Sequence, residues 1–343
     1  MTDSAFGKPV NRLRLEFVEA MRAKDTLKAN NIALRACDLL FPIDPEKART
    51  VVWKKFYRRL KGRAVPYQCT DFESVDYELW LAPGLKKLMR GPNPDVERAG
   101  HNYVTFLGAS QFFGRHIPVA VHAFVEHASG LHCVNLAAPG AAPGYFDSPD
   151  ILQIAKGGRA VVLQVLSGKG VGGGQFPGGD VTVRRDGSRV KRMRLIREIH
   201  DKVPRGAVRL VRSWQGRYVT AMQSLIRHLE VPVILVWMSS RQPQDWSVEH
   251  LGDDGWVGAF PQIIDQETLD RIKPGCAAFV EVSRDEGVPY KFISRFTGEL
   301  CPTIHAKKEG QMIWENSYYP STWAAQEVSR AVCAALDSLG IRA

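Results

Sequence analysis

Ser110 stands just after the apolar run Tyr103–Leu107, in the order Gly108-Ala109-Ser110-Gln111. Small residues ahead of a serine let the backbone turn sharply and expose the hydroxyl. A second loop, Ala137-Ala138-Pro139-Gly140, follows the run His132–Leu136, and Gly140 can offer a bare backbone N–H to an anion. A third loop, Ser167-Gly168-Lys169-Gly170, follows Ala160–Leu166. Further on, the polar stretch Cys301–Gly310 carries His305, and Trp314-Glu315-Asn316-Ser317-Tyr318-Tyr319-Pro320 leads into the last helical segment. A hydroxyl, backbone donors and an imidazole are the parts from which nucleophilic catalysis is assembled.

The elements that must position these residues can be read from the hydrophobic pattern. Five short apolar runs, near 103–107, 132–136, 160–166, 233–238 and 277–282, alternate with helical spacers. The runs are nearly continuous Val, Leu, Ile and Phe, as strands buried on both faces should be. Strand–helix alternation predicts a three-layer α/β domain with a parallel five-stranded sheet from about residue 101. In such sheets ligands sit beyond the carboxyl ends of the strands, where the loops of Ser110, Gly140 and Gly168 fall. Residues 1–63 read as a basic helical extension, with Leu13, Phe17 and Met21 spaced by four and Pro45 suited to a first turn. Residues 64–100 hold Pro66, Pro83, Gly91-Pro92 and Pro94 and read as a connecting segment; 101–343 read as the α/β domain.

Composition narrows the classes. The 343 residues are 45% hydrophobic and 24% charged, which excludes disordered, collagen-like and coiled-coil chains. The longest apolar runs, such as Val231–Met238, fall far short of the roughly 18–20 residues of a membrane helix, and the N-terminus has no signal-type apolar segment. A cytoplasmic protein without a membrane partner is expected. No cysteine pair has metal-site spacing and no HExxH-type histidine pair exists, so neither a metal nor another cofactor is expected. Gly168-x-Gly170-x-x-Gly173 matches a dinucleotide fingerprint only formally, because it follows the third strand and Gln175-Phe176-Pro177 breaks the helix it should open. The net charge is +10, and residues 1–63 supply 15 Lys/Arg against 7 Asp/Glu. Basic patches attract phosphates, nucleic acid and anionic glycans, yet no helix-turn-helix, zinc-finger or RNP pattern accompanies them, so nucleic acid is not the expected partner.

The order of the loops resembles the SGNH/GDSL hydrolase superfamily, a flavodoxin-like esterase and acyltransferase fold, over about residues 100–340. Gly108-Ala109-Ser110 looks like its first block, which implies Ser110 as nucleophile with Gln111 beside it. Asn135 through Gly140 looks like its second, which implies the Gly140 N–H in the oxyanion hole. The third block should hold Gly-x-Asn, and the matching stretch from Gly168 and Gly170 has no Asn. The fifth should hold Asp-x-x-His-Pro, and here Asn316 stands for the Asp and Tyr319 for the His. His305 is the histidine placed to be recruited as base. More narrowly, Arg90-Gly91-Pro92, Phe106-Leu107-Gly108-Ala109, Cys133-Val134-Asn135-Leu136 and Tyr318-Tyr319-Pro320-Ser321 resemble a family of uncharacterised bacterial domains on this fold.

Two functions follow from that resemblance. One is an esterase, deacetylase or acyltransferase with a degenerate triad, acting on a small-molecule or carbohydrate ester. The other is a catalytically silent domain of the same fold that binds an anionic ligand, a glycan or a protein. Aromatic contact in the second would come from Phe112, Trp314, Tyr318 and Tyr319, and charge from Arg115.

Overall fold

The computed structural model describes residues 4–57, 70–82, 84–85, 88–171, 181–183, 187–252, 256–304 and 311–343. The chain divides into two compact units: Met1–Asn93 with Arg115–Pro118 and Val288–Tyr319, and Pro94–Gly114 with Val119–Gly287 and Pro320–Ala343.

The second unit holds the sheet. Strands β1 (Tyr103–Leu107), β2 (His132–Asn135), β3 (Ala160–Gln164), β4 (Val233–Ser239) and β5 (Ala278–Ser283) are all parallel, in the order β2-β1-β3-β4-β5. This is the flavodoxin-like order, and all five strands lie where the apolar runs place them. Every residue of β1, β3 and β4 is buried, which explains their unbroken apolar sequence. The helices Val121–Ser129 and Thr322–Ser338 pack together on one side, and Pro149–Gly157 and Pro204–Leu229 on the other. Local signals set their ends. Gly130 closes the first with φ +73°, a left-handed value a side chain disfavours, and the Ser321 hydroxyl caps the last by accepting from the Ala324 N–H. Ahead of the long helix Pro204–Leu229 lies the stretch from Arg189 to His200. Arg189–Lys191 forms a strand that buries only Val190, and a helix starts at Arg192. That helix and the first half of Pro204–Leu229 bury Ile196, Val211 and Trp214 with Trp246, Val257 and Ile263 in a core of their own.

The first unit begins with three helices, Ser4–Arg22, Thr26–Leu40 and Pro45–Val52, continued by one π-helical stretch to Tyr57. Val10, Leu13 and Phe17 line up at helical spacing and pack on Phe56 and Phe72, with the Phe17 and Phe56 rings edge-on at 5.2 Å. Phe296, from the other end of the chain, closes the same cluster. Beside it lies a buried ionic centre. The Asp71 carboxylate accepts from Thr70, Tyr77 and Thr303 hydroxyls at 2.8–2.9 Å and from Arg115 Nε and Nη2 at 3.1 and 3.3 Å. His116 Nδ1 stands 3.4 Å from the same carboxylate, out of line for a hydrogen bond. Burial alone would raise the Asp71 pKa, but Arg115, His116 and the hydrogen bonds outweigh it and hold the carboxyl far below its usual range. Burial pulls the His116 imidazole down to about 4, against the opposing pull of Asp71, so it is neutral at pH 7.

Among the described residues no helix is long and apolar enough to cross a membrane, and Cys37, Cys133, Cys276, Cys301 and Cys333 carry free thiols.

Two outcomes follow from these contacts. Between pH 6.5 and about 4 the unfolded chain takes a proton on His116 that the folded chain refuses. Stability should therefore fall by about 3 kcal/mol across that window, at about 1.4 kcal/mol per pKa unit. Below it, protonation of Asp71 in the unfolded chain adds a further loss. His116→Asn, which tolerates the φ of +68° at this position, should flatten the upper part of the urea-midpoint-against-pH curve; identical slopes would refute the assignment. In the other unit, a Cβ on Gly108 would lie 2.5 Å from Phe112 Cβ and 2.8 Å from Gln164 Oε1. Gly108→Ala should cost about 1–3 kcal/mol, read as a lower denaturant midpoint at constant slope.

Candidate functional site

In the order β2-β1-β3-β4-β5 the connections leave β1 and β3 in opposite directions, so the switch point of the sheet, where α/β folds of this kind bind ligands, lies between their carboxyl ends. The loops on either side of that switch point carry Ser110 and Ser167–Gly170. Because Gly108 has no side chain, the backbone after β1 comes close against Gln164, the last residue of β3, and the Ala109 N–H donates to Gln164 Oε1 at 2.8 Å. The chain then turns into the one-turn helix Ser110–Phe113, with Ser110 at its first position, 8% exposed.

The loop after β2 is tied to the same place. The Leu136 N–H donates to Phe106 O and the Ala138 N–H to Gly108 O, each at 2.9 Å. Gly140 follows with φ +70° and open space where a side chain would stand. The Asn135 amide, the only polar side chain at the end of β2, is used internally: it bonds His122 Nδ1 at 3.0 Å and accepts from the Ala137 N–H at 2.9 Å. The loop after β3 closes the third side. Gly168 packs so tightly on Ile263 and Ile264 that a Cβ would meet them at 2.6 and 2.9 Å, and Gly170 comes as close to Ala142. The Gly168 N–H donates to Gln262 O at 3.0 Å, and the Ser167 hydroxyl to Gln262 Oε1 at 2.8 Å.

Ser110, Gln111, Gly140, Gly168 and Gly170 are thus carried on loops joined to one another at one edge of the sheet. Asn316 and Tyr319 belong to the other unit. The Asn316 side chain is spent on a turn: Oδ1 accepts from the Tyr318 and Tyr319 N–H groups at 3.2 and 2.9 Å, and Nδ2 donates to Tyr319 O at 2.6 Å. The Tyr319 hydroxyl accepts from Arg115 Nη1 at 3.3 Å, and that guanidinium lies 5.2 Å from the ring centre. His305 and Gly172–Gly174 lie outside the described residues. Of the expected contact aromatics, Trp314 and Tyr318 are half exposed, whereas Phe112 is core, packed on Phe106.

Arg241 stands at the end of the fourth apolar run, as the pattern 233–238 implies; Gln164 and Gln262 are further residues of this edge. Gln164 ends an apolar strand with a polar side chain, which marks it, whereas nothing in the pattern marks Gln262. Two buried amide atoms, Gln111 Oε1 and Gln164 Nε2, have no hydrogen-bond partner among the described residues. Arg241, just past β4, fixes the wall opposite Gly168: its guanidinium donates to the carbonyls of Gln242, Pro243, Ala259, Pro261 and Ile264. Burial lowers its pKa to about 10, which leaves it charged at pH 7.

Solved structures similar to this chain include a carbohydrate esterase family 2 enzyme with a carbohydrate-binding domain from Corynascus thermopiles (Myceliophthora fergusii). It is 13% identical over 74% of this chain and 71% of that one, with a TM-score of 0.34. A lipase from a goat rumen metagenome is 12% identical over 68% and 96% of the two chains, with a TM-score of 0.35. A phospholipase A1 from Streptomyces albidoflavus is 11% identical over 69% and 99%, with a TM-score of 0.37. Identities and TM-scores this low say nothing about activity. No curated protein matches the sequence. A family model described as "Domain of unknown function (DUF6473)" matches residues 66–172 and 191–332, most of the chain, including β1 to β5 and every loop described above. The chain belongs to that family.

Proposed function

We propose that the chain is a serine esterase or acyltransferase of the SGNH kind, with Ser110 as nucleophile, acting on an ester of a small molecule or carbohydrate. The observation that carries this reading is the position of Ser110: first residue of a helix turn, beyond the carboxyl end of β1, at the switch point of the sheet between β1 and β3. Ser110 Oγ attacks the ester carbonyl and its proton passes to a base. The alcohol leaves with that proton, and water or an acceptor hydroxyl then takes the acyl group from Ser110. Gly140 offers a backbone N–H for the oxyanion. The base proposed from the sequence is His305; Tyr319, with an ordinary pKa near 10, is a poor one.

A second reading, a domain that binds without turnover, is favoured by one observation. Asn316, which stands where the family triad has its carboxylate, is fully engaged with its own turn. The test is covalent labelling with a serine-directed phosphonate, read by mass spectrometry, beside hydrolysis of a panel of acyl esters and acetylated sugars. The enzyme reading expects a single adduct on Ser110, with Ser110→Ala lowering turnover by about 10⁴-fold or more. It also expects His305→Ala to lower turnover far more than Tyr319→Phe. No adduct and no turnover would leave the binding reading.

A further inference from the structure

The long helix Pro204–Leu229 does more than cover the sheet. Residues 202–227 carry six Lys/Arg and no Asp or Glu. Arg205, Arg209 and Arg212 follow at steps of four and three, all exposed, and so form one stripe down the helix, with the exposed Lys202 just ahead of its first turn. Arg205 and Arg209 make no ion pair among the described residues, and Arg212 shares its charge with the exposed Glu249. Continued along the same face, the stripe changes character. Ser213, Gly216, Thr220 and Ser224 follow on it, and this small, hydroxyl-bearing half, with Arg217 beside it, lines a groove of about 600 Å³. Its opposite wall is Pro143, Gly144 and Val171, which stand three or four residues beyond Gly140 and Gly168 on the loops after β2 and β3. A basic approach therefore runs into a groove that shares its wall with the loops of the candidate site.

We propose that this face is a binding track for an acidic polysaccharide, with Arg205, Arg209 and Arg212 holding carboxylates of the chain and the groove at Gly216, Thr220 and Ser224 receiving a sugar. The charged part spans about 10 Å and its arginines step by about 5–6 Å along the axis, at 1.5 Å per residue. That suits a linear polymer with a charge on each unit better than a single anion. The groove has the size of a ligand site, and its hydroxyls and backbone match sugar hydroxyls. Among the described residues no aromatic ring lines it, which disfavours a nucleobase, whose binding depends on stacking. The one carboxylate among the described lining residues, Asp147, is engaged by His228 at 2.7 Å and lies on the groove side, away from the basic half. That the bound chain is also the ester substrate rests on the serine-esterase reading; the binding does not, and is measured without turnover.

The experiment is fluorescence anisotropy with a labelled oligogalacturonate, with single-stranded oligothymidylate and neutral dextran as comparison probes. Wild-type protein should bind the oligogalacturonate and not the dextran. The affinity should fall by about tenfold or more between about 50 and 200 mM salt, as attraction between solvent-exposed charges is screened. Arg205→Glu with Arg209→Glu should weaken it at least about tenfold. Gly216→Phe should also weaken it. A Cβ there meets nothing within 4 Å, so this variant fills the groove without disturbing the helix, and an unchanged melting temperature checks that. No binding at low salt would overturn the proposal. So would equal binding of oligothymidylate with Gly216→Phe harmless, which would make the stripe a nucleic-acid contact. If binding behaves as expected and Ser110→Ala leaves it intact while no ester is turned over, the track stands and the enzyme reading fails.

Discussion

The approach of the backbone after β1 to the end of β3 is the constraint on which the candidate site depends. A parallel sheet leaves about 4.8 Å between neighbouring strands, and the side chain of Gln164 must fit beneath the turn that leaves β1. A Cβ at position 108 would force its neighbours to shift, with Phe112 and Gln164 Oε1 already within 3 Å of where that atom would be, so the turn favours glycine there. The hydrogen bond from the Ala109 N–H to Gln164 then sets the direction in which the chain leaves the strand. Ser110 takes its place as a consequence of sterics and one hydrogen bond, before any chemistry is considered.

The support around that edge is built from buried polar groups with different solutions to the same problem. Arg241 carries a charge into the interior with five carbonyl oxygens as partners and no carboxylate within ion-pair distance among the described residues. A planar guanidinium can spread its donors over several acceptors at fixed angles, which an ammonium cannot, so this loop is held by arginine specifically. In the other unit Asp71 solves the inverse problem. One carboxylate gathers Arg115 and three hydroxyls from segments far apart in sequence, residues 70–77, 115 and 303. Removing any partner would leave a buried charge short of compensation, which costs more than the lost bond.

The parallel sheet was legible because its signal is local. Unbroken runs such as Val161-Val162-Leu163 and Ile234-Leu235-Val236-Trp237 can be buried only on both faces, and their spacing leaves room for a crossover helix each time. The strand ends, and with them Ser110, Gly140 and Gly168, followed from that pattern alone. The ionic centre was not legible, because it is non-local. Asp71 sits in a Pro-rich stretch that reads as a connector, and nothing in the sequence pairs it with Arg115 or Thr303. The same reason hid Gln262, which accepts from the Ser167 hydroxyl and the Gly168 N–H across a separation of 95 residues. Phe112, an aromatic beside the candidate nucleophile, is a core residue: it is buried in the one-turn helix Ser110–Phe113 and packs on Phe106 of β1.

In this chain polarity is kept in one place and spent in another. The loop after β1 and the end of β3 hold Ser110, Gln111 and Gln164, with two amide atoms buried and unsatisfied among the described residues, a costly condition in an interior. Such groups are retained where something else makes use of them or where water is held. The Asn316 side chain, by contrast, is held by its own turn and by Tyr290, which makes it a structural residue, and an amide is a poor partner for proton transfer. An enzyme built here would depend on positioning and on backbone donors more than on a charge-relay pair. Loss of a triad member still leaves about 10³–10⁴-fold catalysis over water where the oxyanion donors and binding remain. A long, charged binding face such as the one along Pro204–Leu229 matters most in that situation, because binding energy from remote contacts can hold a substrate in reacting geometry when the acid–base groups are weak.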